Sequence, residues 1–142
     1  MSIHEAELKD ALTISNLLGQ LGYPFSEAEA IQKIENYNKP SYKLITAKND
    51  GVIVGFIAIH VYHSLHLPDP VGRITSFCVD EKVRGTGVGS ALLKAAEDFF
   101  SDEGCFKIEV TSNLRRMQTH QYYSHQGYKE TSKHFVKVIE RH

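Results

Sequence analysis

Cysteine, proline and net charge are all scarce in this sequence. Its 142 residues include two cysteines, Cys78 and Cys105; these are too few for a disulfide framework, and both are expected to be reduced. Four prolines and ten glycines exclude proline-rich and collagen-like segments. Lys and Arg number 16 against 17 Asp and Glu, a formal charge of −1 with 8 His besides. Without a basic excess, nonspecific binding to nucleic acid or to a membrane surface is excluded as a function class. No apolar run approaches the ~20 residues of a membrane span, and Met1-Ser2-Ile3-His4-Glu5 lacks a signal-peptide core. At 42% hydrophobic and 23% charged, the composition is that of a soluble globular chain. The expectation is one domain over residues 1–142, in the cytoplasm, with neither nucleic acid nor membrane as partner.

Periodicity then sorts the chain into elements. Residues 2–8 alternate and suggest an edge strand. Asp10 is expected to cap a helix whose stripe is Ala11, Ile14, Leu17, Leu18 and Leu21, ending at Gly22. Ser26 with Glu29 makes a capping box for a second helix with Ile31, Ile34 and Tyr37 on its apolar face. From residue 42 the period falls to two: strands over 42–48 and 52–63 flank the Asn49-Asp50-Gly51 hairpin turn. A third apolar strand covers 73–80, a helix follows from Val88 up to Gly104, and a strand covers 106–111. A helix over 114–125 ends at Gly127, and a final strand or hairpin covers 128–140. The order β-α-α-β-β-β-α-β-α-β implies an α/β fold of the α+β type, a mixed sheet with helices packed on it.

The chemistry concentrates where the strand ending Phe77-Cys78-Val79 runs through Arg84-Gly85-Thr86-Gly87-Val88-Gly89-Ser90 into a helix. Glycines at 85, 87 and 89 let the backbone take positive φ and aim several N–H groups at one point. A helix start and aligned amides together favour a bound phosphate. The dipole contributes ~0.3–1 kcal/mol, up to ~2 in a partly buried site; several amide bonds to an anion at ~1.5–3 kcal/mol each outweigh it. Val88-Gly89-Ser90 lacks the Lys-Ser/Thr of a P-loop, and G-x-G-x-G is not the G-x-G-x-x-G of dinucleotide folds. The bland alternative is a tight strand-to-helix turn that binds nothing.

The pattern Arg84-x-x-Gly87-x-Gly89, after an apolar strand and before an Ala/Leu-rich helix, resembles the GNAT superfamily of N-acetyltransferases. The resemblance runs from the first helix to the last strand and is sharpest over 74–93 and 109–128. It implies a GNAT-like, mostly antiparallel central sheet flanked by helices. It further implies that acetyl-CoA is the acyl donor, its pyrophosphate held by Arg84, Gly85, Thr86, Gly87, Val88, Gly89 and Ser90, and its pantetheine arm by the backbone of Phe77, Cys78 and Val79.

The run Asn113-Leu114-Arg115-Arg116-Met117-Gln118-Thr119-His120-Gln121-Tyr122-Tyr123, continuing to Gly127-Tyr128, is similar to the family's second signature. The likeness implies that Asn113 contacts the coenzyme arm through its amide and that Tyr123 is the general acid. A phenol of reference pKa ~10 can protonate a departing thiolate without first being ionised. The alternative for Tyr123, and the preferred reading for Tyr122 and Tyr128, is a core aromatic.

The acceptor amine, of pKa ~10.4, must lose a proton before it attacks. Many members of the family carry a Glu in the strand before the loop, where this chain has Ser76, so His60, Glu109 and His120 are left as candidate bases. His60, His63 and His66 recur every third residue. A regular strand would put the first two on opposite faces, so they are read as ordinary histidines and no metal ligand is assigned. Cys78 is read as a small buried strand residue rather than an acyl carrier. Residues 55–66 and 111–135 are also similar to bacterial aminoalkylphosphonate N-acetyltransferases, which implies a small amine with a phosphonate and an associated divalent metal; Arg115, Arg116, Lys129 and Lys133 are then a candidate cationic rim. Acetylation of a small-molecule primary amine in a ternary complex is the leading reading. Acetylation of a peptide or protein amine, and a noncatalytic coenzyme A sensor, are the alternatives. The last strand could pair across a homodimer.

Overall fold

The structure is a computed structural model; it describes residues 1–110, 122–129, 131 and 135–140. The chain divides into two compact units, Met1–Thr111 and Ser112–His142.

In the first unit, β1 (Ser2–Glu5) leads through a 3-10 turn (Leu8–Asp10) to α1 (Ala11–Gln20) and α2 (Glu27–Asn36). Strands β2 (Tyr42–Asn49), β3 (Val52–Tyr62) and β4 (Val71–Val79) follow; then come a 3-10 turn (Glu81–Val83), α3 (Val88–Asp102) and β5 (Lys107–Val110). The strands lie side by side in chain order as one five-stranded sheet. β1 to β4 are antiparallel, and β5 pairs parallel to β4, Val71↔Lys107 to Ile74↔Val110. This is the mixed, mostly antiparallel sheet expected, with helices on both faces.

Local signals explain most boundaries. Asp50 (φ +51°) and Gly51 (φ +80°) supply the two positive-φ residues of a type I′ turn, whose twist matches that of the β2–β3 hairpin. The capping box closes as expected: Ser26 Oγ accepts from Glu29 N at 3.1 Å, and Glu29 Oε1 accepts from Ser26 N at 2.9 Å.

Along β3, Phe56 and Ala58 join Ala11, Ile14, Leu17, Ala30 and Ile34 in the core beneath α1 and α2. The opposite face carries α3, whose Leu92, Leu93, Ala96 and Phe100 are buried. A Cβ on Gly72 would lie 2.4 Å from the Phe100 ring. The missing side chain is therefore what lets α3 lie close over β4.

Several expectations need correction. β1 stops at Glu5 rather than continuing to Leu8. Asp10 makes no side-chain bond to the start of α1; its Oδ2 accepts from Glu7 N at 2.8 Å and closes the preceding 3-10 turn. β3 ends at Tyr62, and β4 begins at Val71, where it meets Tyr62. α3 ends at Asp102, with Gly104 at φ +79° just beyond.

In the second unit, Tyr122–His125 form a helical turn; the rest of the helix expected over 114–125 lies outside the described residues. Residues 135–140 carry no strand assignment, and Phe135, Val136, Val138 and Ile139 are exposed. Among the described residues that segment has no ladder partner, and apolar alternation alone does not make a strand.

Candidate active site

β4 departs from regular pairing at one point. Ala58 faces Ser76, but the next residue of β3, Ile59, faces Ile74, so Thr75 is an extra residue on β4. Such a bulge bends its strand and redirects side chains. The described pairing of β4 with β5 ends just before it, at Ile74↔Val110.

Beyond the bulge, β4 carries Phe77, Cys78 and Val79 to the glycine loop. Cys78 is buried, and its Sγ donates to Leu17 O at 3.4 Å. The thiol thus points into the core under α1, as expected of a structural cysteine. The turn after β4 is secured at its entry: Asp80 N donates to Val54 O at 2.7 Å, and Asp80 Oδ1 accepts from Lys82 N at 3.0 Å. Arg84 is exposed and donates from Nε to Val79 O at 3.2 Å, bracing the loop against the strand end.

Gly87, at φ +91° and ψ 0°, is the N-cap of α3 and offers no side-chain cap. The first amides of the helix, on Val88, Gly89 and Ser90, precede its internal ladder and are the kind of orphan donors that bind anions. Nothing lies within 4 Å of where a Cβ would stand on Gly85 or Gly87. The loop is an open, amide-lined cradle, apart from Val88, whose side chain is buried on the sheet.

On the α1–α2 face of the same strand lies a cavity of about 350 Å³. Its floor is Leu44, Phe56 and Ala58 of the sheet, and its walls come from α1 and α2. Polar groups enter at Tyr37, Thr75 and Ser76, and Lys33 adds a positive charge to the lining, its ammonium 4.2 Å from the centre of the Phe25 ring. Thr75 Oγ1 donates to Ala58 O at 3.2 Å, so the 3.1 Å contact with Tyr37 Oη is one in which the tyrosine donates.

One side-chain row along this face stands His60, opposite Tyr42 on β2 and Arg73 on β4. Its ring stacks on Tyr42 (5.1 Å, 20°), and Tyr37 meets Tyr42 edge-on (5.6 Å, 83°). Burial, and secondarily the Arg73 charge, hold the imidazole pKa below its ordinary value. Next to it Tyr62 donates its hydroxyl to Glu109 Oε1, and that bond raises the phenol pKa. Sequence reasoning missed Tyr37, Tyr42, Lys33 and Thr75 as site residues; the aromatic spacing from 37 to 62 was the only signal, and it crosses three elements.

The histidine series does not converge. His63 is exposed past the end of β3, and His66 Nδ1 lies 3.0 Å from Ser64 Oγ in the following loop. Among the described residues no group of three His, Cys, Asp or Glu side chains could hold a metal ion.

In the second unit Tyr123 is buried. Gly127 adopts φ +90°; Tyr128 N then bonds Tyr123 O at 2.9 Å and Gly127 N bonds Ser124 O at 3.2 Å. This is a Schellman ending, which brings the residue after the glycine against the last turn. The rings of Tyr128 and Tyr122 accordingly lie edge-on to Tyr123, at 5.5 and 5.7 Å. Asn113, Arg115, Arg116, His120 and Lys133 lie outside the described residues.

Comparison with known proteins agrees with this layout. The sequence model of the acetyltransferase (GNAT) family matches residues 8–128. An aminoalkylphosphonate N-acetyltransferase of Salmonella typhimurium is 31% identical over 104 residues, 73% of this chain and 68% of that enzyme. An aminoglycoside N(6')-acetyltransferase type 1 of Stenotrophomonas maltophilia is 31% identical over 87 residues, 59% of this chain and 57% of that enzyme. Among solved structures, a transcriptional regulator from Bacillus halodurans superposes with a TM-score of 0.88 at 20% identity, covering 97% of this chain and 99% of its own. No helix among the described residues is long and apolar enough to cross a membrane.

Proposed function

The chain belongs to the GNAT acetyltransferase family, and from that premise we propose that it transfers the acetyl group of acetyl-CoA to the primary amine of a small molecule by direct attack in a ternary complex. The two units are read as parts of one acetyltransferase domain, since the family match runs across both.

One observation carries the reading. A left-handed glycine, Gly87, starts a 15-residue helix with no side-chain cap at the end of the strand whose Ser76 lines the cavity. In this proposal the amides of residues 85–90 grip the coenzyme pyrophosphate, with the open space at Gly85 and Gly87 giving the oxygens room. Arg84 adds charge at the rim. The main chain of Phe77, Cys78 and Val79 holds the pantetheine arm, and Val79 N–H polarises the thioester carbonyl. Asn113 contacts the arm by its amide, and Tyr123 gives the leaving sulfur its proton.

The cavity supports a small acceptor. About 350 Å³ lies at the lower end of the usual range for small-molecule sites, ~300–1,000 Å³. The lining is mostly apolar, with Tyr23, Asn36, Tyr37, Thr75 and Ser76 as polar members and Lys33 as the charged one. An amine with a short apolar body and an anionic end directed to Lys33 suits it, and the similarity to an aminoalkylphosphonate N-acetyltransferase makes aminoalkylphosphonates the first compounds to try.

The test is acetyl-CoA turnover over aminoalkylphosphonates, polyamines, amino acids, aminoglycosides and peptides, with coenzyme binding followed by calorimetry. The reading expects binding together with acetylation of a small amine. Binding without turnover on any amine would replace it with a coenzyme A sensor, and turnover confined to peptides would move the acceptor to a protein amine.

A further inference from the structure

A second hollow, of about 270 Å³, adjoins the acceptor cavity. By itself it falls short of the ~300–1,000 Å³ usual for a small-molecule site, so it matters as an extension of the first. Among the described residues Ile34, Tyr37 and Leu44 line both hollows. Ile34 and Leu44 are buried and belong to the packed part of the partition. Tyr37 is half-buried, so its ring is the part that a ligand meets.

That ring is held from several directions. Tyr37 ends α2, where its N–H donates to Ile34 O at 3.0 Å. Its Oη donates to Thr75 Oγ1 of β4 at 3.1 Å. Its ring meets Tyr42 edge-on at 5.6 Å, and Tyr42 is stacked in turn on His60. With only two side-chain torsions to fix, a tyrosine tied at its hydroxyl and its ring edge is a rigid barrier.

The two hollows differ in charge. Lys33 is the charged member of the first lining, whereas the second carries Glu5, Glu7, Glu35 and Lys43. Glu5 is ion-paired with Lys43, and Glu7 with Lys9. Glu35 has no ion-pair partner among the described residues. An unmatched carboxylate beyond Tyr37 suits an ammonium, and a partition that keeps long cationic acceptors from reaching it discriminates by exclusion.

Resting on the transferase reading above, we propose that Tyr37 determines the specificity of the acceptor site: its ring confines the acceptor to the first hollow. The site thereby selects short amines and rejects elongated diamines and polyamines, whose far ammonium would otherwise reach Glu35. Without the ring the hollows join, and the site takes a longer acceptor with its second cation at the Glu35 end.

The experiment follows acetyl-CoA turnover on 2-aminoethylphosphonate and on hexamethylenediamine, with coenzyme affinity read by calorimetry. In wild type, kcat/KM should be lower for the diamine by roughly tenfold or more. Tyr37→Ala should raise the diamine-to-phosphonate ratio by roughly tenfold or more and leave coenzyme affinity unchanged. Adding Glu35→Gln should take that gain back. Tyr37→Phe keeps the ring and loses the Thr75 bond, so the ratio should stay at its wild-type value even where KM rises for both acceptors.

Equal changes on both acceptors in Tyr37→Ala would mean that the ring is merely structural. A shift of the same size in Tyr37→Phe would assign the selection to the hydroxyl. A gain that survives Glu35→Gln would take the second ammonium away from Glu35, and a wild type that accepts the diamine as readily as the phosphonate would show that nothing is excluded. Any of these overturns the proposal. If Tyr37→Ala does not fold, Tyr37→Leu, which keeps apolar packing against the core that holds Ile34 and Leu44, is read in its place, and the wild-type comparison stands whether or not either folds. If the phosphonate is not acetylated, whichever short amine is acetylated takes its place in the ratio. If no amine reacts while the coenzyme binds, the transferase reading itself has failed; an unmoved ratio with turnover intact defeats this proposal alone.

Discussion

Thr75 and Ser76 are consecutive in the chain and both line the same cavity. Side chains on a regular strand alternate between faces, so this pair depends on the bulge that leaves Thr75 with no residue opposite it on β3. Thr75 accepts from Tyr37 and donates to Ala58 O, which ties the end of α2 to the sheet beside the position where a carboxylate was to be expected.

Thr75→Val should break that tie. The hydrogen bond is solvent-exposed, so the stability loss in urea titration should be at most about 1 kcal/mol. KM for the acceptor should rise while coenzyme affinity stays constant. A coenzyme defect of equal size would show that the bulge serves the coenzyme instead.

Gly72→Ala places a methyl 2.4 Å from the Phe100 ring. Overpacking of this kind costs ~1–3 kcal/mol, and the midpoint of chemical unfolding should fall accordingly. Pairing it with Phe100→Leu should recover part of the loss, because the clash is with the ring.

Gly87→Ala puts a Cβ on a residue at φ +91°. The left-handed conformation costs a non-glycine residue about 1–2 kcal/mol, so the loop should relax away from the cradle. Calorimetry should record coenzyme A binding about tenfold weaker, with little change in the unfolding midpoint. Unaltered affinity would remove Gly87 from the site.

Tyr123→Phe keeps the ring contacts with Tyr122 and Tyr128 and deletes the hydroxyl. kcat should drop roughly 10²-fold or more while the dissociation constant for acetyl-CoA holds. An unchanged kcat would take the hydroxyl out of the reaction.

His60 also predicts a pH dependence of stability. Its pKa is lowered in the folded state, so between that value and the ordinary ~6.5 the unfolded chain binds more protons. Stability therefore rises with pH across this window and is lost on acidification through it. Urea midpoints from about pH 7.5 down to about pH 5 should fall more steeply in wild type than in His60→Gln; parallel curves would contradict the assigned environment.

Signals that act within a few residues could be read before folding. The Ser26–Glu29 box, the Asn49-Asp50-Gly51 hairpin and the glycine loop running into α3 each depend on backbone preferences of adjacent residues, and the structure has all three. Asp10 departs from the sequence expectation because one carboxylate can cap either of two adjoining turns, and in the fold it bonds Glu7 N. Tyr37, Tyr42 and His60 gather from α2, β2 and β3, at separations that no local pattern encodes.

By itself, then, the sequence determined the order of helices and strands over residues 2–110, the glycine loop at which an anion is proposed to bind, and which family the chain resembles. These follow from φ preferences, side-chain period and unsatisfied amides, all short-range. Only the tertiary structure decided that β4 bulges at Thr75, that a cavity opens there, and that burial and the Arg73 charge lower the pKa of His60. Those outcomes depend on strand register and on which distant side chains exclude water, and both are fixed only when the sheet and its helices close on one another.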